Sequence, residues 1–199
     1  MTYLPFAMQG SGAYFRRFER RYRAFGGTHF SCVAADDPTL LIEKRTLQRA
    51  KRTLLASDVI YLAGGNTFYF LSHLKRSGLF STLRQFAQRG GVLAGLSAGA
   101  LMLTPTIELA GYPEWDRDEN EIGLKRREWK GLNLVPFEFF PHFRRSTRYR
   151  EALSAYSKES GRTVYACPDG SGLVIEGDRF TAHGDVWQFH EGHTSRVGH

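Results

Sequence analysis

The sequence predicts an α/β fold, a mostly parallel sheet with helices on both faces. Three observations carry this. Short apolar runs alternate with longer stretches of helical period. Two of these runs, Val59–Ala63 and Val92–Leu96, are apolar throughout, as strands covered on both faces must be. Both end in glycine-containing turns, residues 64–65 and 95–99, that lead straight into helical patterns. In such sheets the site lies at the carboxyl ends of the strands.

Taken in order, Tyr3–Ala7 reads as a short first strand. Gly10–Gly12 turns into a helix over about Ala13–Phe25, which Gly26–Gly27 ends. Thr28–Ala34 alternates as a strand, and Thr39–Ala56 has a helical period that closes at Ser57–Asp58. After Val59–Ala63, helices are expected over about Thr67–Ser77 and Phe80–Arg89, the second stopped by Gly90–Gly91. Val92–Leu96 follows, and Ser97–Leu103 opens another helix. From Glu108 to Trp129 the chain turns polar and irregular, with Glu114, Asp116, Arg117, Asp118, Glu119 and Glu121. A stretch of that length without period is expected to be a functional loop or a disordered one. The apolar run Leu134–Phe140 then places His142 at a strand end. Val164–Phe189 reads as short strands with turns at Asp169–Gly170, Gly177–Asp178 and Gly184–Asp185. No repeat or linker divides the chain, so a single domain over residues 1–199 is expected.

Composition bounds the function. Hydrophobic residues make up 42% and charged residues 24%, ordinary for a globular protein. No apolar run approaches the ~20 residues that cross a bilayer. Met1–Gly12 lacks the basic region and apolar core of a secretory signal, so a cytoplasmic location is expected. The two cysteines, Cys32 and Cys167, form no metal pattern and are expected as free thiols. The net charge is +7, concentrated in Arg16, Arg17, Arg20, Arg21 and Arg23 and in Arg144, Arg145, Arg148 and Arg150. The first group reads as a solvated helix face. The second follows His142 and is a candidate anion-binding cluster.

The strongest local signal is Gly95-Leu96-Ser97-Ala98-Gly99, a G-x-S-x-G motif between a strand and a helix. A sharp strand-to-helix turn strains the serine backbone and exposes its Oγ, with backbone amides beside it to stabilise developing negative charge. A plain Gly/Ser turn with Ser97 as helix N-cap would share the residues. Serine needs a base to take its proton. The chain has seven histidines: His29, His73, His142, His183, His190, His193 and His199. His142, at the end of an expected strand, is the candidate. The turn Gly64-Gly65-Asn66-Thr67 is also strand-to-helix, and a glycine amide there can complete an oxyanion hole with that of Ala98.

Together these pieces resemble the peptidase E family, which includes cyanophycinases and has a class I glutamine-amidotransferase-like fold, a flavodoxin-like three-layer sandwich. The matching segments are Ala63-Gly64-Gly65-Asn66-Thr67-Phe68, Gly95-Leu96-Ser97-Ala98-Gly99-Ala100, Pro105-Thr106-Ile107, Phe140-Pro141-His142-Phe143 and Cys167-Pro168-Asp169-Gly170. The likeness spans about residues 59–175. It implies a serine peptidase with Ser97 as nucleophile and His142 as base, and Gly65 and Ala98 as oxyanion donors. No metal or organic cofactor is implied, and the implied partner is a short peptide substrate. The family's triad acid is a glutamate, and its position falls here on Asp169; Glu176 and Asp178 are fallback candidates. The segment Asp118–Leu124 resembles one that borders the family's substrate site, so Asn66, Asp118 and Asn120 are expected near substrate, under a loop long enough to act as a lid. Dipeptidases of the family hold an N-terminal aspartate with an arginine after the histidine. Arg148 is the nearest match, with Arg144 and Arg145 as alternatives. Family members carry one more strand ahead of the segment matching Tyr3–Ala7. The sheet is therefore expected to lack an edge strand or to complete it by association as a homo-oligomer.

Two other readings compete. A cyanophycinase-like isopeptidase or amidase would use the same electrophile chemistry. A basic binding protein would use the fold without chemistry, but no nucleic-acid motif is found, so nucleic acid is not an expected partner.

Overall fold

The computed structural model describes residues 1–197, and His199 lies outside the described residues. The strands are β1 (Thr2–Leu4), β2 (Ser31–Cys32), β3 (Val59–Leu62), β4 (Val92–Gly95), β5 (Glu138–Phe140), β6 (Val164–Ala166), β7 (Gly172–Glu176), β8 (Arg179–His183), β9 (Trp187–His190) and β10 (His193–Arg196). The helices are α1 (Ser11–Arg23), α2 (Thr39–Ile42), α3 (Lys44–Leu55), α4 (Thr67–Arg76), α5 (Leu79–Gln88), α6 (Ala98–Leu101) and α7 (Thr147–Ser160).

The strands form two four-stranded half-sheets and a hairpin. The first half-sheet has the order β2-β1-β3-β4 and is parallel throughout. The second has the order β10-β9-β6-β5; β5 and β6 are parallel, and β9 and β10 are antiparallel additions. Hairpin β7–β8 stands apart. β4 and β5 are the inner edges of the two halves, and neither pairs with the other.

Strand alternation sorts the core. Tyr3 and Ala63 turn to one face with Tyr61 beside them, where Phe18 of α1 packs on them. Leu4, Ile60 and Leu62 turn to the other, against Leu54 of α3, Leu71 and Leu74 of α4 and Leu83 of α5. Helices therefore cover both faces, as expected. In the second half, Tyr149 and Leu153 of α7 join Phe140, Val164 and Ala166 in the larger core. On the opposite face, Phe180 of the hairpin packs against Tyr165 in a tilted arrangement at 4.7 Å and edge-on against Phe137 at 6.2 Å.

The elements differ from the sequence reading in several places. β1 ends at Leu4 because Pro5 has no N–H to continue the ladder. The Thr28–Ala34 strand shrinks to two residues, since only β1 lies beside it. The Thr39–Ala56 helix is split at Glu43, which is extended at φ −111° and ψ 100° and accepts a hydrogen bond from the Thr46 hydroxyl at 2.6 Å. Helix α7 runs through an arginine-rich stretch where the sequence predicts no element, although its ends carry clear signals. Ser146 caps it by accepting from Tyr149 N at 3.4 Å, and Gly161 closes it in the left-handed region at φ 66°.

The polar segment 108–129 is folded, with three short 3-10 turns. It is pinned to the start of α4. Thr67 N–H donates to Asp118 Oδ2 at 2.7 Å, and Asn66 Nδ2 donates to the Glu119 carbonyl at 2.8 Å.

Candidate active site

Four strand ends meet at one place. Gly64–Gly65 follow β3, Ser97 follows β4, His142 follows β5 and Asp169 follows β6. The two half-sheets thus point the same way, with their carboxyl ends at the site, as a parallel α/β sheet requires.

Ser97 sits at φ 51° and ψ −116°, a conformation that side chains rarely adopt. Packing enforces it. A Cβ on Gly99 would lie 2.1 Å from the Leu62 carbonyl oxygen of β3, so α6 can seat on the sheet only with glycine there. His142 is also at positive φ, 55°. Its Nε2 is 2.9 Å from Ser97 Oγ, and its Nδ1 is 2.6 Å from Asp169 Oδ1. The serine, histidine and acid of the sequence reading are therefore brought into one hydrogen-bonded line. The line is open to solvent: the His142 side chain is 56% exposed and that of Asp169 84%. Glu176 and Asp178 lie on hairpin β7–β8 and its turn, and neither bonds to His142.

The turn after β3 lies against the serine, since a Cβ on Gly64 would stand 3.2 Å from Ser97 Cβ. Gly65 has φ 144°, and a Cβ there would overlap the Phe6 ring at 2.1 Å, so glycine is required on both counts. The backbone amides of Gly65 and Ala98 donate to no protein acceptor among the described residues.

A cavity of about 480 Å³ lies beside Ser97 and His142, bordered by Trp115, Asp116, Arg117, Asp118 and Arg144. Its two carboxylates already accept hydrogen bonds. Asp118 takes the Thr67 amide, and Asp116 takes the Tyr149 hydroxyl at 2.5 Å. Of Arg144, Arg145 and Arg148, Arg144 alone borders this cavity. Arg145 is held by Asp185 at 2.6 Å, and the Arg148 guanidinium stacks 3.7 Å over the Trp115 ring. Asn66 and Asn120 use both ends of their amides within the protein. Asn66 caps α4 through Tyr69 N and holds Glu119, while Asn120 bridges the Leu124 N–H and carbonyl. Asp116 and Arg117 sat unmarked in the charged loop, and only the fold brings them to the cavity wall.

Asp185 is a second residue that the sequence reading passed over. Burial raises its pKa, but hydrogen bonds from Trp187 and Arg145, together with the charges of Arg145 and Arg196, outweigh it and hold the carboxyl below its ordinary value. It thereby anchors the loop that follows His142. Behind the site, Cys167 is buried, and burial first, then the Asp185 charge, pushes its thiol up to about 12. That keeps it protonated and unreactive. Among the described residues, no three His, Cys, Asp or Glu side chains come together as a metal cage.

A strained serine thus stands on a strand–helix elbow, in line with a histidine and an acid at the head of the parallel sheet of an α/β protein. The chain belongs to Peptidase family S51, whose sequence profile matches residues 1–183. It is 36% identical over 90 residues to an uncharacterized peptidase of Pasteurella multocida, which covers 45% of this chain and 42% of that protein. It is 29% identical over 138 residues to Peptidase E of Streptomyces coelicolor, covering 65% of this chain and 53% of that protein. The matched segment thus spans about half the length of these relatives. In fold, it matches a crystal structure of a peptidase E protein from Listeria monocytogenes EGD-e with a TM-score of 0.66. That match has 24% identity and covers 98% of this chain and 85% of the other. A peptidase from an acI-B1 actinobacterium gives a TM-score of 0.68 at 16% identity, covering 100% and 80%.

Proposed function

We propose that this chain is a serine peptidase that hydrolyses dipeptides or short peptides bearing an acidic residue, through an acyl-enzyme. The observation that carries the reading is the 2.9 Å contact between His142 Nε2 and the Oγ of a strained Ser97. Membership of Peptidase family S51 supports a peptide as the substrate class.

In this reading Ser97 Oγ attacks the scissile carbonyl while His142 Nε2 takes its proton. Asp169 holds the Nδ1–H tautomer and stabilises the imidazolium. The free amides of Gly65 and Ala98 receive the oxyanion. His142 then protonates the leaving amine, and water, deprotonated by the same imidazole, hydrolyses the acyl-enzyme. Arg144 and Arg117 draw the acidic group of the substrate into the small cavity, whose own carboxylates are already engaged. Asp118, Asn66 and Asn120 keep the cavity wall in place. The proposed setting is the cytoplasm, where Cys32 and Cys167 stay reduced; among the described residues no helix is long and apolar enough to cross a membrane.

A panel of Xaa-Leu dipeptides that includes Asp-Leu tests this, with Ser97→Ala run beside the parent protein. Cleavage of the acidic dipeptides is expected, lost by a factor on the order of 10⁴ or more in the variant. Turnover retained in purified Ser97→Ala would sink the nucleophile assignment. Cleavage confined to neutral dipeptides would discard the role given to Arg144.

A further inference from the structure

The turn that carries the Gly65 amide has no hydrogen bond of its own. The chain is fixed just before it, where Ala63 N–H donates to the Leu4 carbonyl at 3.0 Å. It is fixed again just after it, where the Asn66 side chain accepts from Tyr69 N–H at 2.9 Å. Between these anchors the backbone groups of Gly64 and Gly65 pair with nothing among the described residues. Two consecutive glycines also have the widest choice of backbone angles. Unsupported, such a turn would sample many directions of the Gly65 N–H. An oxyanion donor is effective only when its direction is set before the charge develops.

Packing supplies what hydrogen bonds do not. Gly64 rests on Ser97, where a Cβ on the glycine would stand 3.2 Å from that of the serine. Gly65 rests on Phe6. A Cβ on Gly65 would lie 2.1, 2.3 and 2.6 Å from Phe6 Cδ1, Cγ and Cε1, so the ring packs directly on the glycine Cα and fills the space that a side chain would take.

The ring is itself braced. Phe6 is half-buried against the larger core and meets the Tyr69 ring of α4 edge-on, with centroids 6.2 Å apart. The Tyr69 hydroxyl donates to Asp36 Oδ2 at 3.3 Å, and Asp36 Oδ1 accepts from Met8 N–H at 2.7 Å. The segment after β1 is thereby tied two residues beyond Phe6, and α4 is tied to the same carboxylate. Phe6 is absent from the lining of the cavity beside Ser97, so it acts on the turn and not on a substrate held there.

We infer that Phe6 is a positioning residue for the oxyanion hole. Its ring holds Gly65 at φ 144° and keeps the amide aimed at the place where negative charge develops. The inference rests on the serine-peptidase mechanism proposed above and adds to it a residue that touches no substrate. Removing the ring leaves the donor present but unaimed. The loss is therefore smaller than the factor of about 10²–10³ that deleting a donor outright costs.

The test compares the parent protein with Phe6→Ala and with Phe6→Leu, which keeps an apolar group on Gly65. The first readout is the ¹⁵N order parameter of the Gly65 amide, which needs no substrate. It is expected near the ~0.85 of rigid backbone in the parent, below about 0.6 in Phe6→Ala and close to the parent in Phe6→Leu. The second readout is kcat and KM on the best dipeptide. In Phe6→Ala kcat is expected to fall roughly tenfold to a hundredfold with KM within about twofold, the pattern of an interaction made only in the transition state. Phe6→Leu should restore most of it. An amide as ordered in Phe6→Ala as in the parent overturns the inference, whatever the kinetics. So does an unchanged kcat, or a rise in KM that accounts for the whole loss. A parent protein with no Ser97-dependent turnover overturns the peptidase mechanism and the role of Phe6 with it, and the order parameter then tells whether the packing contact alone stands. Should Phe6→Ala not fold, Phe6→Val carries the same expectations with a smaller loss of volume.

Discussion

Ser97 and His142 hold positive φ angles of 51° and 55°, strain that persists only where the surroundings dictate it. At Ser97 the surroundings are the carbonyl of Leu62 and a missing Cβ at Gly99. The acid is less constrained. Asp169 is mostly in water, so its charge is screened, and in the proposed mechanism it acts on the His142 tautomer through the 2.6 Å contact. Asp169→Asn is therefore expected to lower kcat by a factor on the order of 10²–10⁴, the upper end being the loss seen for a buried triad aspartate. A loss below tenfold, measured on the best dipeptide, would take the role from Asp169 and reopen it for Glu176 or Asp178.

At the scale of elements, β5 depends on a buried ionic cluster. Glu138 is fully buried, accepts from the Thr106 hydroxyl at 2.9 Å and meets Arg162 at 3.1 Å, while Arg162 reaches Glu108 at 2.9 Å. Its Oε2 has no hydrogen-bond partner. Burial pushes the Glu138 pKa above the ordinary 4.5, against the lowering pull of Thr106 and Arg162. Below pH 4.5 the carboxyl is protonated in both folded and unfolded chains and contributes no pH-dependent difference. As pH rises through 4.5 the unfolded chain ionises first, so the native protein loses stability until the folded carboxyl also ionises. Denaturant titrations of Glu138→Gln and the parent protein should therefore diverge in favour of the variant as pH rises from 4 to 7. A difference that stays flat, or moves the other way, would show that the Arg162 pair outweighs burial. The same scale explains the arginines after His142. Asp185 and Trp115 engage Arg145 and Arg148, which leaves Arg144 at the cavity.

Across the whole molecule, stability is uneven. Leu4, Ile60 and Leu62 of β1 and β3 are completely buried, whereas the hairpin β7–β8 is largely exposed. Native-state hydrogen exchange should find β1 and β3 amides opening only with global unfolding, and hairpin amides opening locally at lower free energy. Uniform protection across both would refute this division. Much of this architecture was legible beforehand. The apolar runs at 59–63 and 92–96 and the glycine turns after them are local steric and solvation signals, and they located the elbow, Gly65 and the parallel sheet. His142 is marked in the sequence only by its place at an expected strand end, and Asp169 is reached through the resemblance alone, since an Asp-Gly turn carries no local mark of chemistry. Helix α7 was missed because charge masks its apolar spacing, and the roles of Arg145, Arg148, Asn66 and Asn120 depend on partners far away in the chain. The sequence by itself determined where strands end and glycines must stand, because those are short-range demands of backbone sterics and burial. Only the tertiary structure decided which arginine faces the cavity and that β4 and β5 face each other unpaired, because both depend on which distant segments the folded sheet brings side by side.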